Sequence, residues 1–128
     1  MLNSYDIVGV NPVNEKEFKQ CCSKLECDII WLNLFEKLPF FLKRPPIKEA
    51  IERGIHFEIR YSDSLRDSTK RKYLIQNAMS LVKYTKVFIK YSILFYCAID
   101  FFQGKNIIIS SGTYDPIFQR SPNDLIHM

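Results

Sequence analysis

The residues of this chain best suited to chemistry are lysines and arginines concentrated in residues 36–73. That stretch holds ten Lys or Arg against six Asp or Glu. The rest of the 128 residues holds eight of each, so the whole net charge of +4 lies in this one stretch. Cations grouped on a folded segment attract polyanions such as the phosphates of nucleic acids. The stretch therefore predicts a polyanion-binding surface, and the alternative is a solvated basic face.

The cations fall on consecutive connections between predicted elements. They are Lys43 and Arg44 after the second predicted strand, Arg60 and Arg66 at and beyond the end of the third, and Lys70, Arg71 and Lys72 in the first turns of the next helix. Three cations at a helix N-terminus oppose the helix dipole, and a local rule broken in this way points to function. In a barrel of parallel strands these connections share one rim.

Two aromatic residues, Phe40 and Phe41, lie beside Lys43 and Arg44. Aromatic rings next to cations can stack on unpaired bases. The alternative is that both phenylalanines belong to the hydrophobic core.

Signals for catalysis are weak by comparison. His56 begins a predicted strand, which is the wrong end for a barrel active site, and His127 lies in the last helix. Asp67 is placed to cap a helix, and Glu58, in mid-strand, is expected to be buried and partnered. The sequence contains no phosphate-gripping glycine loop and no metal-binding histidine motif. We therefore predict no catalytic residue, no metal site and no cofactor, and no independent enzyme.

Alternating strand and helix patterns predict the fold that positions these cations. Apolar runs at residues 5–10, 28–33, 55–61 and 105–111 predict strands, and the run at 28–33 is expected to be buried on both faces. Helices are predicted from Glu15, Pro46 and Ser68, and a fourth is only begun at Ser121. The pattern predicts an α/β protein with parallel strands, a partial (β/α) TIM-type barrel of about four βα units, since a full barrel needs roughly 250 residues.

Local signals set the expected boundaries and faces of the helices. Arg44 is expected to be extended because a proline follows it, and Gly54 to end the helix that begins at Pro46. The apolar stripe of the first helix is Phe18, Cys21, Cys22 and Leu25. The buried face of the third is Leu74, Ile75, Ala78, Leu81, Val82 and Thr85.

Four cysteines, Cys21, Cys22, Cys27 and Cys97, fit neither a zinc knuckle nor a disulfide framework by their spacing. We expect reduced core thiols in a cytosolic or nuclear protein. The N-terminal residues carry no pattern of a secretory signal.

Residues 87–103 interrupt the pattern. Thirteen of these seventeen residues are apolar or Tyr, and deleting them would join Lys86 to Gly104, giving a typical helix ending. Besides native structure, two interpretations are open. One is a short membrane span, for which about 20 apolar residues are usual. The other is a retained in-frame intron, because Val codons begin with GT and a Gln codon can be CAG.

Several blocks of the chain resemble a known family. EKLPFFLKRPPIKEAIERGIHFEIRYS, LRDSTKRKY, GKNIIISSG and RSPNDL occur in the order of the TIM-barrel, thirty-kilodalton-type protein subunit of ribonuclease P and RNase MRP. The blocks cover most of residues 5–86 and 104–126. Residues 1–128 would then be a partial barrel domain, incomplete at both ends, with residues 87–103 as an atypical insert.

The resemblance implies a non-catalytic subunit of a ribonucleoprotein whose RNA removes the 5′ leader of precursor tRNA. Expected partners are RNase P or MRP RNA and other protein subunits, including a small α/β subunit, in the nucleus or nucleolus and without a membrane. The matching cations expected to contact RNA or partner subunits are Lys43, Arg44, Arg66, Arg71 and Lys72. Arg53 also matches the family, and the alternative for this residue is that it only helps to end its helix. Arg60 departs from the family pattern.

Two other classes of function stay open. One is a metal-dependent hydrolase on a related barrel, which would need metal ligands at strand ends that this sequence does not supply. The other is a membrane-associated protein anchored through residues 87–103. Salt-dependent RNA binding would separate the subunit hypothesis from both.

Overall fold

The computed structural model describes residues 4–85, 106–121, 123 and 124. Four strands form one parallel sheet in chain order: β1 (Gly9–Val10), β2 (Ile29–Trp31), β3 (His56–Arg60) and β4 (Ile107–Ser110). Helices α1 (Glu15–Ser23), α2 (Arg44–Glu52) and α3 (Ser68–Thr85) alternate with them, and short 3₁₀ helices span Ser62–Leu65 and Pro116–Phe118. The predicted α/β class with parallel strands is confirmed, and the arrangement is consistent with part of a (β/α) barrel.

The strand register divides the side chains between two faces of the sheet. Ile30 pairs with Phe57, and Ile59 with Ile109, so these residues share one face, which packs against the helices. Ile29, Trp31 and their neighbours in register occupy the other face, and both are only partly buried. The prediction that residues 28–33 are buried on both faces is therefore wrong, because in the described residues helices cover one side. The core is built from Phe18, Cys22, Ile30, Ile47, Ala50, Phe57, Ile59, Leu74, Ala78 and Leu81.

Helix α1 begins as predicted but ends early. The side chain of Asn14 accepts a hydrogen bond from the Glu17 amide at 2.8 Å, and Glu17 in turn accepts one from the Val13 amide at 3.0 Å. Phe18, Cys21 and Cys22 are buried as expected. Leu25 is an exception: the helix ends at Ser23, so Leu25 leaves the apolar stripe and is exposed.

Helix α2 begins at Arg44, two residues before the predicted start, and its extended N-cap is Lys43 (φ −125, ψ 145). The expectation of an extended Arg44 is wrong. Pro45 and Pro46 fit the first turn because the amides there have no intrahelical acceptor. The helix ends as predicted at Gly54 (φ 80), whose amide donates to the Ile51 carbonyl.

Helix α3 is capped by Asp67, which accepts a hydrogen bond from the Thr69 amide at 2.7 Å and confirms the capping prediction. Leu74, Ala78, Leu81, Val82 and Thr85 are buried as predicted. Ile75 is not, since 44% of it is exposed. It lies one position beside the stripe that meets the core.

The ends of the chain show one shorter element and one confirmed cap. Strand β1 covers only Gly9–Val10, and Tyr5 and Ile7 are exposed rather than buried, so the predicted strand over residues 5–10 is too long. Ser121 and Asp124 cap each other's amides at 3.3 Å, as expected for a helix start. Residues 87–103 and His127 lie outside the described residues. Among residues 4–85, 106–121, 123 and 124, no helix combines the length and apolar character needed to cross a bilayer.

Candidate nucleic-acid interface

All five predicted cations lie at the carboxyl edge of the sheet. We define the strand-end rim as the connections that follow β1 to β4 together with the first two turns of α1, α2 and α3. Parallel strands place all of these at one edge. Lys43 and Arg44 lie at the start of α2, and Arg66, Arg71 and Lys72 lie between β3 and the second turn of α3.

Lys43 is held toward α1 by an ion pair. Its ammonium lies 3.0 Å from a carboxylate oxygen of Glu15, and Lys19 lies 3.0 Å from the same oxygen. The hydrogen bond from Lys43, followed by that from Lys19, lowers the pKa of Glu15. One carboxylate therefore serves two cations at solvent-exposed positions, and the pair of lysines carries net positive charge. Arg44 is exposed beside them.

The connection before Lys43 is anchored by buried side chains. Leu34, Phe40 and Leu42 are buried, and the Phe40 ring packs on Phe18 with 5.2 Å between ring centres. The Asn77 amide of α3 donates to the carbonyls of Leu34 and Glu36, both at 2.9 Å. The core alternative is thus confirmed for Phe40.

Phe41 differs completely from its neighbour. It is 86% exposed, although buried residues precede and follow it. The core alternative is wrong for this residue, which leaves an aromatic ring in solvent two positions before Lys43.

The second group of cations surrounds the 3₁₀ helix Ser62–Leu65. The Arg66 guanidinium carbon lies 3.8 Å from the centre of the Phe118 ring, and the Arg71 side chain donates to the Ser64 carbonyl at 3.1 Å. Lys72 is exposed, and its side chain forms no hydrogen bond or ion pair within the described ranges. Arg66 and Arg71 therefore also tie elements together, whereas Lys72 faces solvent alone.

Two acidic residues offset the cations at the start of α3. Lys70 pairs with Asp63 at 3.5 Å, and Asp67 caps the helix. The unfavourable charge of the helix start is thus partly balanced within the connection itself. The ion pair with Asp63 gives Lys70 a structural role within this connection.

Arg120 is a rim cation that sequence reasoning did not single out. Its backbone amide donates to the Tyr61 hydroxyl at 2.8 Å, and its guanidinium donates to the Ile117 carbonyl at 2.8 Å. Together with the Arg66–Phe118 contact, this bond docks the segment after β4 onto the connection after β3. The position of Arg120 beyond the fourth predicted strand was the available signal, because every other rim cation follows a strand.

Arg53, by contrast, lies away from the rim and has a structural role. Its guanidinium donates to the carbonyls of Cys21, Cys22 and Leu25 at 3.3, 2.9 and 2.8 Å. The carbonyls of Cys21 and Cys22 belong to the last turn of α1, where helix carbonyls lack intrahelical donors, and that of Leu25 follows the helix. The side chain of Arg53 thus caps the C-terminal end of α1, and its backbone forms the C-cap of α2.

A polar cluster occupies the face of the sheet opposite the helices. Arg60 donates to Glu58 at 3.2 Å and lies 3.9 Å from the centre of the Trp31 ring. The Ser110 hydroxyl donates to the other carboxylate oxygen of Glu58 at 2.5 Å. The prediction of a partnered Glu58 is confirmed, whereas its predicted burial is only partial, since 16% of the side chain is exposed.

The described residues offer little for metal or thiol chemistry. They contain no group of three or more His, Cys, Asp and Glu residues placed to hold a metal ion. Cys21, Cys22 and Cys27 are free thiols, and burial raises the pKa of each, for Cys22 to about 12. These thiols stay protonated at neutral pH and are poor nucleophiles.

Fold and surface together define an α/β protein with parallel strands, whose strand-end rim carries cations and two solvent-facing aromatic rings, Phe41 and Tyr114. The chain belongs to the family described as RNase P subunit p30, which it matches over residues 1–128.

Three relatives illustrate the match. The chain is 41% identical over 128 residues to the protein GAMETOPHYTE DEFECTIVE 1 of Arabidopsis thaliana, covering 100% of the chain and 19% of that protein. It is 40% identical over 124 residues to ribonuclease P protein subunit p30 of Mus musculus, covering 97% and 40%. It is 35% identical over 124 residues to the probable ribonuclease P protein subunit 3 of Schizosaccharomyces pombe, covering 97% and 46%. The chain therefore spans less than half the length of each.

Proposed function

We propose that this chain is part of a non-catalytic protein subunit of RNase P or RNase MRP. In this role it supports removal of the 5′ leader from precursor tRNA by binding RNA and partner subunits through the strand-end rim. Membership of the p30 family supports the assignment to RNase P. The observation that carries the proposed RNA contact is the placement of Lys43, Arg44 and Lys72 on one edge of the sheet.

The physical basis is the attraction between fixed cations and phosphates. Each Lys or Arg that neutralises a phosphate releases condensed counterions, which makes binding favourable and dependent on salt. The cations are held on helix starts and short connections rather than on a loose tail. Their spacing is therefore set before RNA arrives, and less conformational entropy is lost on binding.

The finer parts of the proposal concern place and partners. The RNA is that of the RNase P or MRP particle, the protein partners include a small α/β subunit, and the site of action is the nucleus, including the nucleolus. Arg66 and Arg71, which also bind Phe118 and Ser64, are suited to contacts that need a fixed guanidinium.

The direct test measures RNA affinity across a series of salt concentrations for three forms of the chain. The double variant Lys43→Gln/Arg44→Gln and the single variant Lys72→Gln remove rim cations. The control, Lys24→Gln/Lys83→Gln, removes two exposed lysines that lie after α1 and in the last turn of α3, away from the rim. The control matches the double variant in charge, so a general loss of positive charge would affect both.

Each lost phosphate contact should reduce the slope of log affinity against log salt by about 0.7–0.9. We expect a smaller slope for the rim variants than for the control. Thermal unfolding of each variant checks that the fold is retained. Equal affinities and slopes for rim and control variants would contradict the proposal.

A further inference from the structure

The exposure of Phe41 follows from the way its segment is built. Phe40 and Leu42 are both buried, so the chain alternates in and out through this stretch. Lys43 continues the alternation, since its backbone is extended and its side chain lies in solvent. Phe41 and Lys43 therefore both lie on the solvent side of this connection, two positions apart in the chain.

The ring is exposed on a supported backbone. Phe40, one residue before, packs on Phe18 in the core, and Leu42 is buried one residue after. The hydrogen bonds from Asn77 fasten the start of the same connection to α3. A large apolar side chain held in water by ordered neighbours is suited to binding, because the conformational cost of ordering its backbone is met on folding.

We propose that Phe41 stacks on an unpaired base of bound RNA while Lys43 contacts a neighbouring phosphate. This inference rests on the proposed function and specifies its ligand at this point of the rim as single-stranded RNA. In a duplex the faces of the bases are covered by their neighbours, whereas unpaired bases can stack on aromatic side chains. The charge around the ring favours RNA over a protein pocket, because residues 36–73 carry the whole net charge of +4.

The experiment compares the full chain with Phe41→Leu and Phe41→Trp. Leucine keeps much of the apolar area but has no ring to stack, and tryptophan enlarges the ring. The control is Tyr5→Leu, which removes an exposed aromatic residue that precedes β1, at the opposite edge of the sheet. The probes are a short RNA without self-complementarity and the same strand annealed to its complement, each measured by fluorescence anisotropy at two salt concentrations.

We expect Phe41→Leu to weaken binding of the single strand by at least about fivefold, the effect of losing one stacked base, and to leave duplex binding unchanged. The salt dependence should stay the same, because no charge is lost. Phe41→Trp should retain or strengthen single-strand binding, and Tyr5→Leu should change neither probe.

Unchanged single-strand binding in Phe41→Leu would overturn the inference, and would assign the exposed ring to a protein partner instead. An equal loss for both probes would also overturn it, since stacking on an unpaired base cannot act on a duplex. These failures are distinct from failure of the proposed function. In both cases the unchanged chain would still bind RNA with an affinity that depends on salt, and Lys43→Gln/Arg44→Gln would still weaken that binding.

Discussion

The ammonium of Lys43 and a carboxylate oxygen of Glu15 lie 3.0 Å apart, which joins the connection after β2 to the first turn of α1. Glu15 also accepts from Lys19, so it neutralises part of the charge at this corner of the strand-end rim. Both lysines are exposed, which limits what the pair contributes to folding. Its larger effect is on the charge that the rim offers to a ligand.

Replacing Glu15 with Gln should strengthen RNA binding. The substitution frees Lys43 and Lys19 and removes a negative charge, and we expect a gain of about two- to fivefold at moderate salt, in line with an exposed pair. Glu26→Gln is the matched control, because Glu26 is exposed in the connection between α1 and β2, at the edge of the sheet opposite the rim. A gain of the same size in the control would assign the effect to net charge alone.

The same pair sets a dependence on pH. The pKa of Glu15 is lowered by Lys43 and Lys19 from its ordinary value of 4.5. The contribution of the pair to stability is therefore present above that ordinary value and is lost as pH falls through the lowered pKa. A carboxyl titration followed by NMR should show the Glu15 signal moving below this value, and Lys43→Gln should shift it back toward 4.5.

Arg53 provides a prediction about stability. Arg53→Ala leaves the carbonyls of Cys22 and Leu25 without the guanidinium donor and the Cys21 carbonyl with only the Cys27 thiol at 3.8 Å, and we expect the free energy of unfolding to fall by about 1–3 kcal/mol. Urea unfolding measures it. Lys48→Ala, at an exposed position of the same helix, should cost less than about 0.5 kcal/mol. A similar small cost for Arg53→Ala would show that water replaces the guanidinium at these carbonyls.

The contacts of Arg53 could not be predicted from the sequence. Periodicity and capping patterns predicted the α/β order, the helix start at Glu15, the Asp67 cap and the Gly54 ending, because each of these depends on residues a few positions apart. The bond from Arg53 to Cys22 joins residues 31 positions apart, so no local pattern contains it. The same holds for the Tyr61 hydroxyl that receives the Arg120 amide, 59 positions away.

The candidate site was predictable in position but not in detail. Counting strands placed Lys43 and Lys72 on one edge, since parallel topology decides which connections meet. Phe40 and Phe41 are adjacent residues of the same type, so the sequence does not distinguish them. Only in the folded segment does Phe40 lie in the core and Phe41 in solvent. The prediction that Ile75 is buried was wrong for a similar reason, because periodicity alone does not fix which residues lie at the edge of the apolar stripe of a helix.

Cys22 should be unreactive in the folded chain. Burial raises its pKa to about 12, so its thiolate is scarce at neutral and mildly basic pH. We expect iodoacetamide to modify Cys22 only after denaturation, as read by mass spectrometry of peptides. The raised pKa also contributes stability that is fully present below the ordinary value of 9.0 and is lost as pH rises toward about 12. Rapid labelling of Cys22 under native conditions would contradict this assignment.

Gly112 and Arg60 form a close contact whose energy can be measured. Gly112 has φ 66, and a Cβ added there would lie 2.7 Å from the Cδ and 3.0 Å from the Cγ of Arg60. Gly54→Ala is the reference, because Gly54 has φ 80 and nothing within 4 Å of an added Cβ. It should cost only the backbone strain, about 1–2 kcal/mol.

Gly112→Ala should cost more than this reference by about 1 kcal/mol or more, since Arg60 must move away from Glu58 and Trp31 to make room. The double variant Gly112→Ala/Arg60→Ala should recover about 0.5–1 kcal/mol of coupling, because the Cγ and Cδ contacts are then absent. Urea unfolding of the four members of this cycle and of Gly54→Ala measures both quantities. Equal costs for the two glycine substitutions, with no coupling to Arg60, would mean that the arginine moves aside freely and that the polar cluster on this face adds nothing to stability.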